Sequence, residues 1–459
     1  MQKKTADCSR RAFLKLAGGT VVVSSLGCRG LATAIEKPAK PQPPQSKKNI
    51  VLIMADDVGY ECFGCYGSNM YTTPHIDALA ANGVRFTHCY AQPLCTPSRV
   101  KIMTGQSNIR NYVDFSIMDP AEKTFGHMMQ AHGYKTCVAG KWQLYGAEHY
   151  GPQTRGKGIL PGDAGFDAWC LWQVEKLGDR YWNPRLNVNG QVKQYGKEQY
   201  GPDVCADFIN EFITAHKDTP FFVYYPMILV HSPFEPTPDS PSRKQKHAQK
   251  NFWDMVSYMD KLVGRIVAHL KDAGVLENTL ILFLSDNGTD KKIKSRLNGQ
   301  TITGGKSITT DSGTRVPFVA SCAAAAKGTV CDDLIDLSDF VPTMAEATGA
   351  ALPADVTLDG RSFLPQIRGD KGDPRQALFM YYNPRPTRKD WSESRFARDQ
   401  RFKLYGDGRL YDVPNDMLEK KPIAVGEGGP EAAAARERLQ RVIDSMPAKP
   451  VKITGKKLR

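Results

Sequence analysis

Three carboxylates and one amide, Asp56, Asp57, Asp286 and Asn287, stand directly after two runs that read as buried strands, Asn49–Ala55 and Thr279–Leu284. The set is all oxygen, a hard-donor chemistry that suits calcium, and magnesium less well, rather than zinc. The same side chains also suit strand-end capping and solvation. Further along, the stretch PLCTPSRVKIMTG places Cys95 at a helix start, because Pro97 fits a first turn. A group at that position meets unpaired amides and the positive end of the helix dipole, which stabilise a thiolate or an oxyanion. Arg99 would add a fixed charge; a buried structural cysteine is the alternative. Cys62 and Cys65 form a C-x-x-C pair, but no second pair lies at metal spacing, so a zinc or redox reading is not adopted.

The elements that must position these groups alternate between strand and helix patterns. Asn49–Ala55, Pro220–Tyr225 and Thr279–Leu284 are continuous apolar runs of the kind buried on both faces of a sheet, and Lys135–Ala139 reads as a further strand. Helices are expected from Pro74 to Ala81 with Thr73 as N-cap and Gly83 closing it, from Glu122 to Ala131, and from Phe252 to Ala273. In the last of these Met255, Met259, Leu262, Ile266 and Leu270 share one face. This alternation predicts an α/β fold, a large mixed, mostly parallel sheet flanked by helices, with its functional edge at the carboxyl ends of the strands. Past about residue 370 the pattern changes. Asp407-Gly408 between two apolar segments signals a hairpin, and Glu431–Ser445 a helix, so a small C-terminal α+β subdomain is expected.

PLCTPSRVKIMTG resembles the sulfatase signature, C-x-P-S-R followed by an apolar pair and T-G. Further matches are GYKTCVAGKW (133–142), His231-Ser232-Pro233-Phe234, the span from Gly305-Lys306 to Thr314-Arg315-Val316-Pro317, and LYDVPND near the C-terminus. The resemblance covers Ile50 to about Glu419 and implies an alkaline-phosphatase-like fold and a formylglycine-dependent sulfuric ester hydrolase. It implies that Cys95 is converted to formylglycine by a formylglycine-generating maturase. A calcium ion would be held by Asp56, Asp57, Asp286 and Asn287 and touched by the modified Cys95. The hydrated aldehyde would attack sulfur, with Asp286 accepting its proton and Arg99 stabilising the diol. Lys141 and Lys306 would bind the sulfate oxygens, and His231 would serve the leaving alcohol oxygen. Fixed cations answer the charge that sulfur loads onto its oxygens. The substrate implied is a sulfated carbohydrate. A phosphate or phosphonate ester hydrolase on the same fold and a non-catalytic sulfated-glycan binder are the competing readings.

Two positions depart from the family pattern. Gln143 stands where G-K-W-H has histidine, and an amide orients but cannot act as a base. Gln143 is therefore a substrate or diol contact, and the base for sulfate release is left open, with His149 in the same loop as one candidate. Asp311-Ser312-Gly313 replaces E-G-G, for which a local turn change is expected. Lys291, Lys292, Lys294 and Arg296 form either a solvated loop or a contact to further anionic groups.

The chain has 459 residues, with 61 Lys+Arg against 48 Asp+Glu, a net +13 that suits an anionic partner. No helix or zinc module accompanies that charge, so nucleic acid is excluded as the target. Residues 1–34 read as a twin-arginine-type signal peptide, with Arg10-Arg11, a short apolar run and Ala32-Thr33-Ala34 for cleavage; Cys28 offers a lipid-anchor alternative. Export by the twin-arginine machinery to the periplasm or beyond is the expectation, with no membrane span. A Pro/Lys linker (35–48), a catalytic domain (49–370), the subdomain (371–450) and a basic tail (451–459) complete the expected organisation. Of eleven cysteines, Cys322 and Cys331 are the nearest couple to pair, although free buried thiols suit folded export better.

Overall fold

In a computed structural model that describes residues 47–388, 391 and 393–452, the first buried run forms β1 (Asn49–Ala55). The expected signal peptide, most of the linker and most of the basic tail lie outside the described residues. Along the chain follow α1 (Pro74–Ala81), β2 (Val84–Tyr90), α2 (Cys95–Thr104), α3 (Asn108–Asn111), α4 (Phe125–Ala131), β3 (Lys135–Lys141), β4 (Ala168–Trp172), β5 (Arg185–Val188) and β6 (Gln191–Gln194). Next come α5 (Gly201–His216), β7 (Phe221–Pro226), α6 (Ala248–Asp272), β8 (Thr279–Ser285) and the hairpin β9 (Lys294–Leu297) and β10 (Gln300–Thr303). Then α7 (Asp311–Thr314), β11 (Arg315–Ser321), β12 (Thr329–Asp336), α8 (Phe340–Thr348) and α9 (Leu364–Arg368) lead to β13 (Leu378–Tyr382), β14 (Ser394–Arg398), β15 (Phe402–Tyr405), β16 (Leu410–Asp412) and α10 (Gly429–Asp444).

Ten strands form one sheet in the order β12-β2-β11-β8-β1-β7-β3-β4-β5-β6. The neighbours β8, β1, β7, β3 and β4 are all parallel, whereas β11 and β5 run against them. Five adjacent strands therefore end at one edge. β1 is buried along its whole length, and its residues alternate between two cores. Val51, Ile53 and Ala55 join the apolar cluster that includes Ile209 of α5 and Met255 and Leu262 of α6. Ile50, Leu52 and Met54 join the cluster on the other face, with Val100 of α2, Met129 of α4 and Met344 of α8. Each such side chain contributes about 1.5–3 kcal/mol when fully buried. The continuous apolar run thus reports a strand sandwiched between two helix layers.

Helix boundaries shift where tertiary contacts replace local signals. Thr73 does not cap α1 with its side chain; its Oγ1 accepts from the Gly64 amide (3.0 Å) and donates to Asp77. The N-terminal amides of α1 instead meet Asp260 of α6, which accepts from His75 (3.1 Å) and Ile76 (2.8 Å). The helix closes at Asn82, not Gly83. Because the cap comes from another helix, Asp260→Ala should lower stability by about 1–2 kcal/mol, read as a lower urea midpoint with an unchanged slope. α4 starts at Phe125 rather than Glu122, because Thr124 and His127 form a capping box. α6 begins four residues earlier than expected, at Ala248.

The C-terminal strands form the separate antiparallel sheet β13-β14-β15-β16, with α10 packed against it through Ala432, Ala435 and Leu439. Asp407-Gly408 makes the expected β15–β16 turn, with Gly408 at φ 89°. All nine described cysteines are free, so the Cys322–Cys331 pairing is not formed; both are only partly buried thiols. Cys62 hydrogen-bonds Thr289 and Ser295, a buried thiol rather than a metal ligand.

Candidate active site

The shared strand edge brings the sequence candidates together. Asp56 and Asp57 follow β1, Asp286 and Asn287 follow β8, and Lys141 ends β3. The chain after β7 continues the ladder, Asp56 N bonding Leu229 O (2.9 Å) and Val230 N bonding Asp56 O (2.7 Å), and so delivers His231. Gly140 permits the close passage of β3 by this segment, since a Cβ there would lie 1.9 Å from the Pro226 carbonyl oxygen. Lys306 and Ser307 sit between two anchors, Lys306 N to Thr289 O (2.9 Å) and Ser307 N to Pro93 O (2.7 Å), which ties their segment to the approach to Cys95.

Asp56, Asp57, Asp286 and Asn287 are fully buried. Lys141 Nζ donates to both Asp56 oxygens (3.1 and 2.8 Å) and Lys306 Nζ to Asp57 Oδ2 (2.5 Å). Arg99 donates to Asp286 Oδ2 (2.9 Å) and to the Lys141 carbonyl (3.2 Å). Burial opposes ionisation of Asp56 and Asp57, yet the lysine ammonium groups beside them, Lys141 at Asp56 and Lys306 at Asp57, hold both below the ordinary carboxylate range. Asp286 goes the other way: burial, with Asp56 beside it, pushes it up to about 7. Asn287 donates to Asp57 Oδ1 (2.9 Å), while its own buried Oδ1 has no hydrogen-bond partner. An unpartnered buried acceptor among three carboxylates is the donor set a hard cation needs.

Ligand atoms of Asp56, Asp57 and His231 also converge within 4.8 Å, a grouping the sequence did not indicate. The imidazole is otherwise engaged. Nδ1 lies between an acceptor, the Ser232 carbonyl (2.5 Å), and a donor, Arg180 NH1 (3.0 Å), while Nε2 lies 3.0 Å from Lys306 Nζ. Burial pushes His231 down to about 4 despite Asp57, keeping the ring neutral.

Cys95 is the first residue of α2 and is buried. Burial pushes its thiol up, and Lys141 and Lys306 only partly offset this. Ser98 anchors the helix by donating to the Asp286 carbonyl (2.5 Å) and the Gln92 carbonyl (3.2 Å). Cys95, Lys141, Gln143, His231 and Lys306 line one cavity of about 390 Å³, and His149 lines it too. Gln143 is buried at φ 54° with its Oε1 unpartnered, while His149 is exposed and packs at a tilt of 40° against Tyr150, ring centres 4.0 Å apart. Asp57, Gln143, Gln173 and Ser307 all have φ between 54° and 71°, so left-handed backbone gathers here, as it does at sites that hold reacting groups.

Sequence reading missed Phe115, Trp172, Gln173, Arg180 and Arg385 of the same lining. Trp172 ends β4 and Gln173 follows it, Phe115 and Arg180 lie in irregular segments, and Arg385 follows β13, with no motif to mark any of them. Lys291, Lys292, Lys294 and Arg296 belong to the β9–β10 hairpin and its approach, and none lines the cavity; the solvated-loop reading fits them. The departure Asp311-Ser312-Gly313 forms the short helix α7, where buried Asp311 pairs with Arg398 of β14.

Fold and site define an α/β enzyme with a cationic pocket set over a floor of buried carboxylates. The sulfatase family model matches residues 48–350, and the chain belongs to the sulfatase family. It is similar to human arylsulfatase A, 32% identical over 372 residues that cover 72% of this chain and 70% of the relative. It is also similar to the N-acetylgalactosamine-6-O-sulfatase of Bacteroides thetaiotaomicron, 27% identical over 471 residues, covering 82% of this chain and 90% of the other. Among solved structures, Ps i-CgsB superposes with a TM-score of 0.71 at 25% identity, over 87% of this chain and 92% of that one. The phosphonate monoester hydrolase of Agrobacterium radiobacter shares the fold, with a TM-score of 0.64 at 19% identity over 87% and 95% of the two chains. The protein is a sulfuric ester hydrolase with an alkaline-phosphatase-like fold. No helix among the described residues is long and apolar enough to cross a membrane.

Proposed function

We propose that this sulfatase releases sulfate from a sulfated carbohydrate, using a formylglycine made from Cys95 and a calcium ion held by Asp56, Asp57, Asp286 and Asn287. The observation that carries the reading is the position of Cys95 at the start of α2, lining the cavity in which Lys141, Lys306 and His231 meet. Two similar proteins support the ester class: an arylsulfatase and an N-acetylgalactosamine-6-O-sulfatase. Calcium is favoured over magnesium because the donors come from two strand ends in an irregular set, which a larger, more tolerant ion accepts. The hydrated aldehyde of formylglycine supplies an oxygen nucleophile, and the cation supplies fixed positive charge for the ester oxygens.

The chain's own residues do the rest. Lys141 and Lys306 bind the anionic oxygens, and Arg99, bonded to Asp286, fixes the geometry beside Cys95. Asp286 accepts the nucleophile's proton. Lys306 and His231 act as a pair at the leaving oxygen, Lys306 Nζ lying 3.0 Å from His231 Nε2. Gln143 orients the substrate by hydrogen bonding, and His149 on the same lining is the candidate base for sulfate release. Residues 49–370 are read as the catalytic domain and 371–450 as a subdomain that completes it. The protein is exported by the twin-arginine machinery after the maturase has acted.

The test is the mass of the peptide carrying Cys95 after co-expression with a formylglycine-generating enzyme. Conversion to the aldehyde is expected. An unmodified cysteine in a preparation that still releases sulfate would overturn the reading.

A further inference from the structure

The cavity lining holds more positive charge than one sulfate ester can use. Lys141 and Lys306 are each matched by a carboxylate beneath them, Asp56 and Asp57. Arg180 and Arg385 line the same cavity, and among the described residues no aspartate or glutamate lines it. Neither arginine has a carboxylate at ion-pair distance among the described residues. Asp114, which acts on Arg385 from further away, is engaged by Thr387 (2.6 Å) and the Phe115 amide (2.7 Å). Glu235 feels Arg180 only at longer range.

Both guanidinium groups are held by aromatic faces. Arg180 lies over Trp172 at 3.8 Å, and Arg385 over Phe115 at 4.2 Å. Stacking fixes the plane of an arginine and leaves its edge, with parallel N–H groups, for a sulfate or carboxylate. Arg180 is also next to the reaction centre: its NH1 lies 3.0 Å from His231 Nδ1, on the far side of the imidazole from Lys306. A group bound there sits about one imidazole width from the ester being cleaved, a separation available within one sugar residue or between adjoining ones. Arg385 approaches from the segment after β13, in the C-terminal part of the chain, and acts on Tyr382 together with Cys95 and Lys306.

We propose that Arg180 and Arg385 bind a further anionic group of the substrate, so that this enzyme prefers saccharides carrying a second sulfate or a carboxylate beside the ester it cleaves. The proposal rests on the sulfated-carbohydrate reading above and narrows its substrate class. An uncharged saccharide bearing one sulfate leaves both arginines unmatched, and a charge-assisted contact changes affinity by about 10- to 100-fold.

The experiment measures binding and turnover separately. Titration calorimetry on full-length Cys95→Ser protein compares three saccharides of one backbone: monosulfated, disulfated, and monosulfated with a uronate carboxylate. The disulfated or the uronate compound is expected to bind at least about 10-fold more tightly than the monosulfated one, and which of them wins identifies the second anion. In matured enzyme the same ratio should appear in kcat/KM. Arg385→Gln should reduce the ratio by about 10-fold, with Arg385→Lys retaining part of it. Arg180→Gln is read the same way, with thermal unfolding as the folding control; if it fails to fold, the Arg385 pair decides. Equal affinity for all three saccharides, or a preference untouched by Arg385→Gln, overturns the proposal. A protein that binds the polyanions selectively but cleaves no sulfate ester would sink the catalytic reading and leave the subsite standing.

Discussion

Cys95→Ala is expected to lower kcat/KM for sulfate-ester hydrolysis by about 10⁵-fold or more while leaving the fold intact. The size follows from what the residue is in this site. Burial pushes the Cys95 thiol up, so an unmodified cysteine would stay protonated and weakly nucleophilic at neutral pH. A thiol of that kind is a poor reason for placing Lys141, Lys306, Arg99 and Asp286 around one helix start. An oxygen nucleophile made from the same residue would use all of them. Alanine removes the nucleophile without removing a charge or a bond of the buried network, in which Arg99–Asp286 and Lys141–Asp56 are complete without Cys95. Thermal unfolding should therefore move little while turnover disappears. Residual sulfate release within about tenfold of the parent would show that another group performs the attack.

The strand ends were legible because chemistry and burial coincide there. An apolar run that stops at two carboxylates, as at Asp56-Asp57 and Asp286-Asn287, marks a strand buried on both faces and its polar edge. Parallel pairing of β8, β1, β7 and β3 then does the rest, since it sends every such end to one side. Elements defined by contacts with distant residues were not legible. Thr73 has the residue type of an N-cap, but Asp260, 184 residues from Ile76, meets the amides instead. The wall of the cavity was also hidden. Arg180 and Arg385 carry no spacing signal, because their roles depend on how irregular segments fold over Trp172 and Phe115. The basic run Lys291–Arg296 misdirects for the same reason: proximity in sequence to Asn287 does not place it in the cavity.

The C-terminal sheet grips the segment that carries Lys306, and breaking that grip should be the largest single effect on stability. Lys403 of β15 is fully buried, donates to the Thr309 carbonyl and pairs with Glu419 at 2.7 Å. Tyr405 bonds Thr309 Oγ1 (2.8 Å) and Glu419, and Arg398 holds Asp311. Thr309 and Asp311 are three and five residues from Lys306, so these contacts set where its ammonium stands. Lys403→Met keeps an apolar stem of similar length but removes the ammonium that lies over Phe396, and strands Glu419 without its cation. Leaving one member of a buried pair unmatched costs about 3–5 kcal/mol. A lower urea midpoint by that amount is expected, together with a loss in kcat/KM of about 10²-fold from a displaced Lys306. The double variant Lys403→Met/Glu419→Gln should recover most of the stability, because no charge is then left alone. It should also differ from the parent in pH dependence. Burial holds Lys403 down to about 8, against about 10.4 for an exposed lysine. Between those values the unfolded chain binds a proton that the folded chain has released, so this group's contribution to stability rises with pH across that window. The parent should show that rise and the double variant should lack it. If Lys403→Met unfolds at the parental urea concentration, the C-terminal sheet does not hold the Lys306 segment by this pair.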